Sequence, residues 1–65
     1  MDLKKIGRFI AENRKKAGYS QESLAEKLDI SSRSISKWER GICMPETAKM
    51  PALCELFDIT INDLF

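Results

Sequence analysis

The sequence predicts an all-α fold, and three observations carry that expectation. Leu, Ala, Glu and Lys are plentiful, whereas Val is absent, Thr occurs twice and Tyr once, so helix formers outweigh strand formers. Apolar residues recur at helical three- and four-residue steps. Hydroxyl residues and glycines stand where helices would start and stop. The chain has 65 residues, which fits one domain over residues 1–65. A hydrophobic fraction of 43% supplies a packed core. A domain this small buries only about 60% of its unfolded surface, so its stability depends on good packing.

Leu3, Ile6, Ile10, Arg14 and Ala17, with Phe9 beside them, mark an amphipathic first helix. Asp2 is its expected N-cap, Lys15 and Lys16 suit the negative end of its dipole, and Gly18 is its expected stop. The next three helix starts share one pattern. Tyr19-Ser20 precedes Leu24, Ile30-Ser31 precedes Ile35, and Ile59-Thr60 precedes Leu64. In each, an apolar residue stands before a hydroxyl N-cap and a second apolar residue follows at the fourth helical position. That is the hydrophobic staple, in which the hydroxyl accepts an orphan backbone N–H and the apolar pair fixes the approach of the chain. A second helix is therefore expected over Gln21–Leu28, a tight turn at Asp29 and Ile30, and a third helix over Ser32–Arg40 stopped by Gly41. A fourth helix begins near Pro51, which fits only the first turn. It continues through Leu53, Cys54, Leu56 and Phe57, and a short fifth starts at Thr60.

Composition excludes several functions. Without His, and with Cys43 and Cys54 eleven positions apart, the chain lacks the elements of a zinc site. Two reduced cytosolic thiols are the simpler reading of the cysteines, and a single loop-spanning disulfide is the other. There is no long apolar run and no basic segment leading into an apolar one, so neither a membrane span nor a secretory signal is expected. No nucleophile elbow and no glycine-rich phosphate loop is present, and the carboxylates do not pair into a catalytic set, so no enzyme activity is expected. Net charge is only +1, but its distribution is uneven. Residues 1–40 carry +4 and residues 41–65 carry −3, as if one face were made to meet a polyanion.

The short second and third helices, about three residues apart, define a helix-turn-helix. Their crossing needs a small residue, which Ala25 provides, and inward apolar groups, which Ile35 and Trp38 provide. Trp38 could also stack on a base, but its spacing favours the core. The other side of the third helix shows Ser32, Arg33, Ser36, Lys37 and Arg40. These are hydrogen-bond donors without an acid among them, suited to base edges and phosphates.

The stretches YSQESLAEKLDISSRSISKWERG and PALCELFDITINDLF resemble the phage-repressor and Cro-type helix-turn-helix family, also called the XRE family. The likeness runs from about Ile6 to Phe65. It implies a compact, lambda-repressor-like bundle of five helices that acts as a homodimer on a palindromic duplex DNA operator in the cytoplasm, more often as a repressor. It implies no cofactor, no metal and no small-molecule ligand in this domain. Matched residue by residue, Ser32, Arg33 and Lys37 fall on base-reading positions. Gln21 falls on a phosphate clamp, Ser20, Ser36, Arg40 and Arg14 are further phosphate candidates, and Arg14 with Glu39 matches an ion pair. Ser20 reads equally well as a plain N-cap, and Arg14–Glu39 as an ordinary surface pair.

The chain departs from the family at Asp29, where Gly is common, and at Ile42-Cys43-Met44, where polar residues are usual. Lys4, Lys5, Arg8, Lys15 and Lys16 form either a solvated face or, in part, a surface near phosphates. Leu64 and Phe65 either close the core, form a dimer contact or lead into further chain. The rival reading is a protein-interaction module of the same fold, an antitoxin or an anti-repressor partner.

Overall fold

The computed structural model describes residues 2–59, and within them the chain is helical. Helix α1 spans Leu3–Lys16, α2 Gln21–Leu28, α3 Ser32–Glu39 and α4 Met50–Phe57, with a 3-10 turn at Thr47–Lys49 leading into α4. These bounds follow the sequence reading with small corrections. The third helix ends at Glu39, and Arg40 is its C-cap rather than its last residue. Ala17, taken from the apolar stripe of α1, is instead an exposed C-cap. Pro51 is the second residue of α4, where its missing N–H costs nothing. The expected fifth helix from Thr60, with Leu64 and Phe65, lies outside the described residues.

All four helices end in the same way. A left-handed residue follows each helix: Gly18 (φ 82°), Asp29 (φ 56°), Gly41 (φ 75°) and Asp58 (φ 55°). The next N–H then reaches back to close the last turn: Tyr19 to the Arg14 carbonyl (3.0 Å), Ile30 to Ala25 (3.0 Å), Ile42 to Lys37 (3.0 Å) and Ile59 to Cys54 (2.9 Å). This is the Schellman closure, which satisfies carbonyls that the helix leaves orphaned.

The starts are less uniform. The Asp2 carboxylate accepts from the N–H groups of Lys4 (2.9 Å) and Lys5 (3.4 Å). The Ser20 hydroxyl accepts from Ser23 N–H (3.0 Å) while the Ser23 hydroxyl accepts from Ser20 N–H (2.8 Å), a capping box built from two serines. Ser31 stands at the N-cap of α3 but makes no side-chain cap bond; its carbonyl, not its hydroxyl, accepts from Ser34 N–H (3.1 Å). The staple there rests on Ile30 and Ile35, both packed in or against the core.

The core joins every helix. It consists of Ile6 and Ile10 from α1, Leu24, Ala25 and Leu28 from α2, Ile35 and Trp38 from α3, and Met50, Leu53 and Phe57 from α4. Ile35 and Trp38, expected inward from their spacing, and Ala25, expected as the small residue of the crossing, are all buried. Met50, the first residue of α4, is buried in this core. The α4 end is tied to α2 by Lys49, whose Nζ donates to the Leu28 carbonyl at 2.8 Å. A cation there meets the negative end of α2.

Candidate nucleic-acid interface

With Ile35 and Trp38 turned into the core, the opposite arc of α3 faces solvent. Arg33, Lys37 and Arg40 are exposed there, at intervals of four and three residues, and Ser32 and Ser36 are half-buried at its margins. Arg40 Nε donates weakly to the Ser36 carbonyl at 3.4 Å. Among the described residues, the side chains of Arg33 and Lys37 have no protein partner, so their donors face water. The major groove of duplex DNA admits an α-helix, and donors on the outer arc of such a helix can reach base edges.

The acid of α3, Glu39, is removed from this arc. Its Oε2 accepts from Arg14 Nε at 2.6 Å, and its Oε1 accepts from Arg14 Nη2 at 3.3 Å and from Gln21 Nε2 at 2.9 Å. The third guanidinium nitrogen, Nη1, donates to the Tyr19 carbonyl at 2.9 Å. The Arg14 and Glu39 side chains are only 11% and 10% exposed, so the pair is a nearly buried one rather than an ordinary surface pair. It ties the last turns of α1 and α3 to the first residue of α2 and to the loop between α1 and α2. Three of the five N–H donors of Arg14 are engaged internally, which leaves one on Nη1 and one on Nη2 for a phosphate.

Gln21 enters the same network. A carboxylate only accepts, so the amide nitrogen of Gln21 must face Glu39. One amide N–H is spent there and the second remains for a phosphate. Ser20 holds its capping box, which is its structural role. The expected site therefore separates into an outer row of Arg33, Lys37 and Arg40, a margin at Ser32, Ser36 and Gln21, and an inner brace of Arg14 and Glu39.

Sequence reading missed one position that sets this geometry. Gly7 of α1 is buried against the end of α3, and a Cβ there would meet the carbonyl oxygens of Trp38 and Glu39, the latter at 2.8 Å. The available signal was a glycine inside a helical pattern, which costs about 1 kcal/mol against Ala unless packing requires it. Lys49 was missed because its acceptor is a backbone carbonyl twenty-one residues away.

Cys43 and Cys54 are both unbridged thiols. Among the described residues no cluster of metal-ligating side chains occurs, and no helix is long and apolar enough to cross a membrane. Ile42, in the loop after α3, is 57% exposed.

The helix-turn-helix family matches residues 10–64 of this chain. The chain is 36% identical over 59 residues to the HTH-type transcriptional regulator ImmR of Bacillus subtilis, covering 91% of this chain and 46% of that protein. It is 40% identical over 45 residues to the HTH-type transcriptional activator BcrR of Enterococcus faecalis, covering 69% of this chain and 22% of that protein. The chain therefore spans less than half the length of these two curated relatives. The fold matches that of the restriction-modification controller protein C.AhdI from Aeromonas hydrophila, with a TM-score of 0.86, 31% identity and coverage of 98% of this chain and 97% of that one. The clp gene regulator ClgR from C. glutamicum shares the fold, with a TM-score of 0.81 at 20% identity over 98% of this chain and 83% of that one. The capped helix pair, the outward row on α3 and the matched residues agree: the chain belongs to the XRE-type helix-turn-helix family of DNA-binding domains.

Proposed function

We propose that this chain is the sequence-specific DNA-binding domain of a transcriptional regulator, acting in the cytoplasm on duplex DNA. The observation that carries the reading is the acid-free outer row of α3. Arg33, Lys37 and Arg40 point to water, while Glu39 is consumed by Arg14 and Gln21. In this reading α3 lies in the major groove. Arg33 bonds to a guanine edge, and Ser32 and Lys37 meet bases or phosphates beside it. Gln21, Ser36 and Arg40 grip the backbone, with Ser20 and Arg14 behind them.

The described residues extend 27 × 23 × 22 Å, less than one helical turn of DNA. A single copy then covers one half-site, and two copies as a homodimer place their recognition helices in successive major grooves about 34 Å apart on a palindromic operator. Repression by occluding polymerase needs no surface beyond this one. No cofactor takes part.

Selection of binding sites from random duplex DNA tests the reading. An enriched inverted repeat with half-sites about one turn apart supports a dimeric operator binder. A single short motif supports base reading without the dimer. Absence of any binding overturns the DNA reading in favour of a protein-interaction module of the same fold.

A further inference from the structure

The interface described above draws on α2 and α3, yet the end of α3 rests on the first turn of α1. A Cβ built on Gly41 would stand 2.9 Å from Cγ of Lys4, 3.1 Å from its Cα and 3.2 Å from its backbone nitrogen. The stem of Lys4 therefore lies along the chain as it leaves α3, one residue after Arg40. Any side chain at position 41 would displace it, so Gly41 supplies both the left-handed turn and the room for Lys4.

Lys4, Lys37 and Arg40 are all exposed. The acids near this corner are turned elsewhere. The Asp2 carboxylate lies on the backbone N–H groups of Lys4 and Lys5, and Glu39 is drawn onto Arg14 and Gln21. An exposed cation on a different helix, Lys4, thus stands beside the residue that follows Arg40.

We propose that Lys4 is a DNA-backbone contact, held at the C-terminal end of the recognition helix by Gly41 and gripping a phosphate at the groove edge beyond Arg40. The proposal rests on the reading of α3 as the major-groove helix. A compact ammonium on a flexible stem suits a phosphate and carries no sequence information. Lys4 therefore adds affinity and fixes the tilt of α3 without altering which bases are preferred. Lys5 lies about 100° further round α1, away from Gly41, and serves as the control.

The test is binding of the intact chain to a selected operator duplex over a salt series. Lys4→Met keeps the stem that packs on Gly41 and removes the charge; Lys4→Gln is the second variant, and thermal melting verifies that each folds. The slope of log affinity against log salt falls in magnitude by about 1 for both variants, with the order of preferred sites unchanged. Their deficit against the unaltered chain narrows about threefold between roughly 50 and roughly 200 mM salt. Ethylation of one phosphate per half-site blocks the unaltered chain and no longer affects Lys4→Met. Lys4→Arg restores the slope, and Lys5→Met leaves it as it was. A Lys4→Met slope equal to that of the unaltered chain, an equal loss in Lys5→Met, or a changed site preference overturns the proposal while the DNA reading stands. Failure of the unaltered chain to bind any duplex overturns both.

Discussion

Gly7 of α1 packs directly against the backbone carbonyl of Trp38 at the end of α3, with no room for a Cβ between them. The obstructing atoms are backbone, so the helices would have to separate to admit a side chain. This contact sets how closely α1 supports the recognition helix. Gly7→Ala should therefore destabilise the domain by about 1–3 kcal/mol, despite the better helix propensity of Ala. Thermal unfolding should show a fall of at least about 4 °C. A melting temperature at or above that of the unaltered chain would mean that α1 and α3 are not held at this separation.

Glu39→Ala should cost more. It leaves the guanidinium of Arg14, 11% exposed, with only the Tyr19 carbonyl as a partner. Loss of one member of a buried pair costs about 3–5 kcal/mol. Chemical denaturation measures this. A loss under about 1 kcal/mol would place the pair among ordinary surface pairs.

Lys49→Met should lose about 1–2 kcal/mol through its single bond to the Leu28 carbonyl, since a charged donor there also offsets the α2 dipole. The same denaturation series detects it. An unchanged midpoint would show that the ammonium is solvated instead.

The two left-handed aspartates offer an opposite test. Asp29→Gly and Asp58→Gly should each be neutral or stabilise by up to about 1 kcal/mol, because Gly adopts positive φ without steric cost. Asp29→Val should destabilise by more than the Gly variant gains. A marked loss on Asp29→Gly would assign the aspartate side chain a role beyond the turn.

The legible part of this fold was the part written in local chemistry. The Ser20 cap, the stops at Gly18 and Gly41 and the inward pair Ile35 and Trp38 all depend on neighbours within a few residues. Asp58 escaped, although Asp58-Ile59-Thr60 repeats the form of Asp29-Ile30-Ser31, because Asp tolerates the left-handed region without declaring it. Ser31 read as a side-chain cap and is not one: its carbonyl takes the Ser34 N–H, and its hydroxyl lies 3.5 Å from that of Ser34. Gly7 and Lys49 were hidden because their partners are backbone atoms of distant helices, which side-chain periodicity does not encode. At the interface, the outer row followed from helical period alone. The joint hold of Arg14 and Gln21 on Glu39 needed the three-dimensional meeting of three helix ends.

The central claim is that Arg33 reads a base from the outer face of α3. The direct measurement is affinity of the unaltered chain and of Arg33→Ala for a selected operator and for each of its single-base variants at fixed salt. Discrimination at one position per half-site should fall by about 1–3 kcal/mol, with preferences elsewhere and the melting temperature unchanged. A uniform weakening over all variants, or an intact preference at every position, would contradict the claim.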